Sequence, residues 1–334
     1  MSGAYTLTEI GERAWRVATL IGERDLFQYV IAGDDGRAVL IDTGTARTPG
    51  EAILPALRDV GLARDDVVVV VVTHPDLDHQ GGLAVLREAL PRARLACGFA
   101  DLALVGAPEQ LVADRYGAYE HAHGLGYDES DRRWMRSLYG APVWIDLPLS
   151  GGEELALGRR TLRFLHAPGH SAGHLMVHDP GSGALFTSDA VHGAFIPAAD
   201  GSPALPPTYE EIDPYLATID LVEALAPSVV HSGHWPVHDG AAIAAWLTES
   251  RAFVAAVDAA LHERLAAPAT LRELCDHVHG RLGPYASGPV ALMFAVHGHL
   301  RRMLRRGLAA VDLLAAPPRF HLIHDREAPH VQLA

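Results

Sequence analysis

The segment Thr73-His74-Pro75-Asp76-Leu77-Asp78-His79-Gln80-Gly81-Gly82 follows six consecutive valines, Val67 to Val72. Six β-branched residues in a row describe a fully buried strand. The polar segment therefore sits on the loop at that strand's end, held by a rigid scaffold. It carries four candidate metal ligands, His74, Asp76, Asp78 and His79, within six positions. Histidines and aspartates packed so densely cost free energy if left unpaired. A pair of divalent cations offsets that cost and accounts for the spacing. Taken alone, the turn could simply end a strand, with Asp78 capping the next helix.

Four further motifs remove that ambiguity by their order. Val39-Leu40-Ile41-Asp42-Thr43-Gly44 reads as an earlier strand ending in Asp-Thr-Gly. Downstream come Ala167-Pro168-Gly169-His170-Ser171-Ala172-Gly173-His174, then Leu185-Phe186-Thr187-Ser188-Asp189, then Ser232-Gly233-His234. Together with the first segment, this series resembles the ligand motifs of the metallo-β-lactamase superfamily over roughly residues 13 to 240. One position departs from the pattern. In the usual His-x-His-x-Asp-His signature, Asp76 stands where the second histidine would be.

The resemblance implies an α/β fold, a four-layer αβ/βα sandwich, and a binuclear centre. One ion would take His74, Asp76 and His170; the other would take Asp78, His79 and His234, with Asp189 bridging. Asp42 would accept a hydrogen bond from a ligand histidine and fix its tautomer. His174 is expected to pack behind the ligands rather than join them. His192, three residues past Asp189, is a candidate substrate contact. The cofactor expectation is two divalent ions, zinc favoured because it accepts aspartate oxygens beside imidazole. Iron and manganese are alternatives, because Asp76 adds an oxygen ligand. The flavodiiron branch of the same superfamily carries a glutamate there and holds two irons.

Composition narrows the function classes. The chain has 334 residues, enough for one large domain or two, and 49% are hydrophobic, as in a soluble globular protein. Its formal net charge is −14, from 27 Lys+Arg against 41 Asp+Glu, which repels nucleic acid. The basic group Arg301, Arg302, Arg305 and Arg306 has helical spacing and reads as a solvated face. No stretch of about twenty apolar residues spans a membrane, and the N-terminus lacks the pattern of a secretory signal. Cys97 and Cys275 form neither a disulfide framework nor a metal motif, so a cytoplasmic location is expected.

Along the chain, strands are expected in 13–42 and at Val143-Trp144-Ile145, Thr161 to Leu165, Leu175 to His178, Ala184 to Thr187 and Ser228-Val229-Val230. Helices are expected at Pro49 to Val60 with Thr48 as cap, Gly82 to Leu90, and Glu210 to Leu225. Residues 1–240 would form the catalytic domain, with a helical insertion at about 99–140 lying over the site. Residues 241–315 would form a helical, winged-helix-like module, including a capping box at Thr270 and Glu273, and 316–334 a tail. The expected activity is hydrolysis of a small-molecule ester, lactone or thioester by a metal-bridging hydroxide, with Asp78 orienting it and shuttling its proton. A di-iron redox or oxygen-handling protein is the alternative, and a phosphodiesterase a more distant one. The expected partner is a small-molecule substrate, with no nucleic acid and no membrane. A homodimer through the apolar C-terminal helices is a further expectation.

Overall fold

The computed structural model describes residues 5–323. Two mixed sheets face each other. The first holds seven strands in chain order: β1 (Thr6–Gly11), β2 (Ala14–Ile21), β3 (Arg24–Ala32), β4 (Ala38–Ile41), β5 (Val67–Val72), β6 (Arg94–Gly98) and β7 (Leu147–Leu149). β1 to β4 pair antiparallel, and β4 to β7 pair parallel. The second sheet contains β8 (Glu154–Leu157), β9 (Arg160–His166), β10 (Leu175–Asp179), β11 (Ala184–Ser188), β14 (Val229–Ser232) and β15 (His238–Asp239), in the spatial order β15-β14-β11-β10-β9-β8. A short hairpin, β12 (Ile196–Pro197) and β13 (Pro203–Leu205), stands apart.

The valine strand shows why the layers form. Val69 and Val71 point between the sheets, where they meet Phe164, Val177 and Phe186. Val67, Val70 and Val72 point outward, onto Ile53, Leu57 and Leu86 of the helical layer. A register shift beside Ala38 and Val39 accounts for the break in alternation near Val68. A side chain of this kind, fully buried, contributes roughly 1.5–3 kcal/mol. A strand apolar on both faces can only be central, covered by a sheet on one side and helices on the other.

On the first sheet's outer face lie α1 (Leu54–Asp59) and α3 (Leu83–Ala89), while Leu77 of the one-turn α2 (Leu77–Gln80) packs with Leu26 and with Leu111 and Met135 of the insertion. Thr48 does not cap the first of these. A turn with π-type hydrogen bonds over Pro49–Ile53 precedes α1, and Thr48 Oγ1 instead accepts from Thr45 N at 3.0 Å. The insertion folds as α4 (Pro108–Leu111), α5 (Glu120–His123) and α6 (Glu129–Ser137). The triplet Val143-Trp144-Ile145 is not a strand: Trp144 is 83% exposed, and pairing to β6 begins at Leu147.

The second sheet's outer face is covered by α7 (Ile212–Leu225) and α8 (Ala241–Arg264). The chain continues through β16 (Ala269–Thr270), α9 (Leu271–Leu282), α10 (Met293–Arg305), β17 (Ala309–Asp312) and β18 (Arg319–Leu322), the three strands forming a small sheet ordered β16-β18-β17. β18 falls where the sequence suggests tail; residues 324–334 lie outside the described residues. Tyr215 and Ile219 of α7 share one hydrophobic cluster with Leu274 of α9 and Phe294 of α10. Of the C-terminal arginines, Arg305 and Arg306 are exposed and Arg301 and Arg302 half-buried, and all four are ion-paired. Arg301 and Arg305 pair with Glu211, Arg306 with Asp213, and Arg302 with both Asp213 and Asp258. Among the described residues, no helix is long and apolar enough to cross a membrane.

Candidate metal centre

The five sequence motifs meet at one end of the sandwich. His74, Asp76, Asp78 and His79 follow β5; His170 and His174 lie between β9 and β10; Asp189 follows β11; His234 follows β14. Donor atoms of His74, Asp76 and His170 lie within 4.8 Å of one another, as do those of Asp78, His79 and His234. Asp189 joins the groups: its donor lies within the same distance of those of His74 and His79. Within the second group, His79 Nε2 and His234 Nε2 are 3.4 Å apart. Asp189 Oδ1 lies 3.8 Å from His79 Nε2, and its Oδ2 lies 3.5 Å from His234 Nε2.

Asp42 orients two of these imidazoles. Its Oδ2 accepts from His79 Nδ1 at 2.9 Å and from Ser188 Oγ at 2.8 Å. Its Oδ1 accepts from Thr73 N and Thr73 Oγ1 at 2.8 and 2.9 Å. Because that hydroxyl donates to Asp42, it accepts from His74 Nδ1 at 3.0 Å. His234 Nδ1 donates to the Asp25 carbonyl at 2.7 Å. In each ring the Nδ1 proton is assigned by its partner, leaving Nε2 as a lone-pair donor toward the cluster. Two backbone features place these groups. Asp42 adopts φ +62, a conformation rare for a non-glycine residue. Gly233 packs so tightly that a Cβ there would overlap Asp189 Oδ1 and approach His79 Cε1.

The donor set fits a pair of cations. His74 Nε2 and Asp189 Oδ1 are buried without a hydrogen-bond partner, a costly state that a metal relieves. Burial and the neighbouring histidines push His74 well below its ordinary range, so its imidazole is neutral, the form a metal requires. Burial would raise Asp76, but Arg115 and His170 outweigh it and hold the carboxyl low. Burial likewise opposes Asp78, yet His79, His234 and Arg24 keep it ionised. His79 shows the converse: burial lowers it, but Asp42, Asp189 and Asp78 push it up to about 10. Three carboxylates around one imidazole thus draw in positive charge, as a proton or as a metal ion.

Above this floor opens a cavity of about 340 Å³. Asp76, Asp78, Asp189 and His234 face it. Its walls are mainly apolar: Tyr127, Trp134 and Met135 from the insertion, Ile196 and Leu205 from the β12–β13 hairpin, and Val290 and Phe294 from the C-terminal region. Arg24 lies at the edge, its Nη2 3.9 Å from Asp78 Oδ2. Cys97 and Cys275 are free and buried, with their thiols pushed up by burial, so neither is a nucleophile.

The other two sequence candidates lie deeper. The His174 ring stacks on His74, with centroids 4.9 Å apart, and both its nitrogens lack partners. His192 is fully buried beside His170, centroids 5.0 Å apart, and is not part of the cavity lining; a donor of its ring lies within 4.8 Å of donors of His170 and Asp189. Sequence reasoning missed Thr208, whose hydroxyl lies 3.4 Å from both His170 Nδ1 and His192 Nε2 while facing the cavity. It also missed Arg115, buried between Asp76 and Glu210. No local pattern marks either residue.

A cluster of imidazoles and carboxylates at the strand ends of a four-layer sandwich, beneath an apolar-walled cavity, defines the class of metal-dependent hydrolases. More particularly, the chain belongs to the metallo-beta-lactamase superfamily, whose profile matches residues 22–234. It is 30% identical to the acyl-coenzyme A thioesterase MBLAC2 of Bos taurus over 223 residues, covering 62% of this chain and 72% of that protein. It is 25% identical over 190 residues to the anaerobic nitric oxide reductase flavorubredoxin of Aliivibrio fischeri, covering 54% of this chain and 32% of that one. A metallo-beta-lactamase family protein from Thermus thermophilus has the same fold, with a TM-score of 0.73 at 22% identity, covering 94% of this chain and 100% of that chain.

Proposed function

We propose that this protein hydrolyses a small-molecule thioester or related ester or lactone with an apolar acyl group, at a centre of two divalent ions. The observation that carries this reading is the junction of an unsatisfied donor floor with an apolar cavity of about 340 Å³, a size that accepts a small ligand. The likeness to acyl-coenzyme A thioesterases supports the thioester end of the range. His74, Asp76 and His170 would hold one ion and Asp78, His79 and His234 the other, with Asp189 between them. Bound there, such ions supply Lewis acidity and bring the pKa of a water toward ~7. Asp78, on the cavity floor, orients the attacking water and accepts its proton, then returns it to the leaving group. The walls exclude bulk water and bind the acyl chain. We place the protein in the cytoplasm, acting on a small molecule rather than on nucleic acid or a membrane.

The test joins elemental analysis with a substrate panel of acyl thioesters, lactones and phosphodiesters. Two ions per chain, thioester turnover and its loss on chelation are expected. Turnover that survives complete removal of metal would overturn the reading. A second reading, a di-iron redox protein, is favoured by Asp76 and by the flavorubredoxin likeness. Iron at two per chain, together with oxygen or nitric oxide consumption and no hydrolysis, would select it.

A further inference from the structure

The two oxygens of Asp76 face different surroundings. Oδ2 turns toward the donor cluster, 3.1 Å from His170 Nε2 and 3.7 Å from His74 Nε2. Oδ1 turns away and receives the Tyr116 hydroxyl at 3.0 Å. Arg115 Nη1 lies 2.9 Å from the same oxygen. The Arg115 side chain is only 6% exposed, and its Nε lies 2.9 Å from Glu210 Oε1. Both carboxylate contacts are ion pairs set off the hydrogen-bond line. Its Nη2 donates to the His170 carbonyl at 3.3 Å, and its guanidinium carbon lies 5.4 Å from the centroid of the Phe294 ring. One buried cation therefore touches the side chain of one candidate ligand and the backbone of another.

A buried guanidinium is always charged and expensive to desolvate, so it persists where its charge is needed. Asp76 supplies that need. At this position a carboxylate brings a negative charge that a neutral imidazole would not, and it offers two oxygens where one ligand atom is wanted. We propose that Arg115, together with Tyr116, is a positioning residue that adapts Asp76 to the metal centre. By engaging Oδ1 the pair presents Oδ2 alone, and the guanidinium balances the added charge. Glu210, just before α7, and Phe294, on α10, hold Arg115 from behind, so the C-terminal region reaches the metal centre through this side chain. The inference rests on reading the donor cluster as a metal centre.

The experiment measures zinc affinity by chelator competition for the unmodified protein, Arg115→Met, Asp76→His and the Asp76→His/Arg115→Met double variant. Thermal melts of the metal-free forms report folding. Arg115→Met is expected to weaken binding of one ion by roughly 10–100-fold in the original background, the usual range for groups that orient a ligand. With histidine at position 76 the same change should cost no more than roughly three-fold, as for an uncoupled site. Equal losses in both backgrounds would reveal a purely structural arginine and overturn the proposal, as would no loss in either. Should Arg115→Met fail to fold, Tyr116→Phe carries the same comparison, with a loss of roughly 2–10-fold confined to the Asp76 background. If the unmodified protein binds no zinc, iron or manganese, the metal reading itself falls and takes this inference with it. If it binds metal and the two backgrounds respond alike, only the inference falls.

Discussion

The floor and the walls of the cavity are made from opposite kinds of sequence. The floor residues follow sheet strands, on loops or on the one-turn α2, beside a glycine or proline or within a short polar motif, and hydrogen bonds with neighbours fix the rings of His74, His79 and His234. Asp42 alone ties together Thr73, His79 and Ser188. The walls come from three separate additions: the insertion, the β12–β13 hairpin and the C-terminal helices. Apart from Phe294, which lies under Arg115, the named wall residues present mainly apolar surface, and a different apolar residue of similar volume would serve as well at most of these positions. In the proposed function the floor would set which reaction is available, and the walls which molecule undergoes it.

The sharpest way to break this contrast is at Asp78. Asp78→Asn keeps the shape of the floor while removing the carboxylate to which the proposed mechanism gives the proton. A fall in kcat of about 10²–10⁴-fold is expected, the range for loss of a positioned acid–base group. The acyl-chain preference should stay as it was, because no wall residue has changed. A variant that kept kcat within about tenfold, short of that range, would strip the floor of its chemical role.

This division also separates what the sequence makes legible from what it hides. The floor is readable because its groups are local: His74 to His79 lie on one short segment, the loop after β5 and the start of α2, and the order of the remaining motifs supplies the rest. Asp42 is assigned the same way. Arg115 is not, being one of 27 basic residues with partners at positions 76 and 210. The ion pairs of the C-terminal arginines are hidden because Glu211 and Asp213 lie far away along the chain. Their pairing is a property of the fold, invisible to helical spacing. His192 shows a related limit: spacing from Asp189 measures reach but not direction, and the ring lies against His170, outside the cavity lining. At 143–145 an apolar triplet suggests a strand, yet only the segment beginning at Leu147 has a partner in β6.

A gentler test adds volume to a wall. Val290 lines the cavity at the turn before α10. Val290→Phe should shorten the accessible chain, lowering kcat/KM for the longest accepted acyl thioester by roughly 10–200-fold, as expected for crowding by a methylene or more. Turnover of the shortest substrate should hold, with kcat unchanged. A uniform loss across chain lengths would mean that the wall touches the reacting centre, and the contrast with the floor would blur.

The smallest effect is expected one layer further out, at the helix that supports this wall. Thr270 caps α9: its Oγ1 accepts from Glu273 N at 3.3 Å, and Glu273 Oε2 accepts from Thr270 N at 2.8 Å. Thr270→Ala should cost about 1 kcal/mol, seen as a drop in Tm of roughly 2–4 °C. Leu271, Leu274, Cys275 and Val278 remain buried in the cluster that includes Phe294, so α9 keeps its seat after losing its cap. Kinetics should then be unchanged for every chain length. If KM for long substrates rose instead, fraying at the start of α9 would be reaching Val290 and Phe294 through the shared core. The walls would then include not only the residues that face the substrate but the packing that holds them in place.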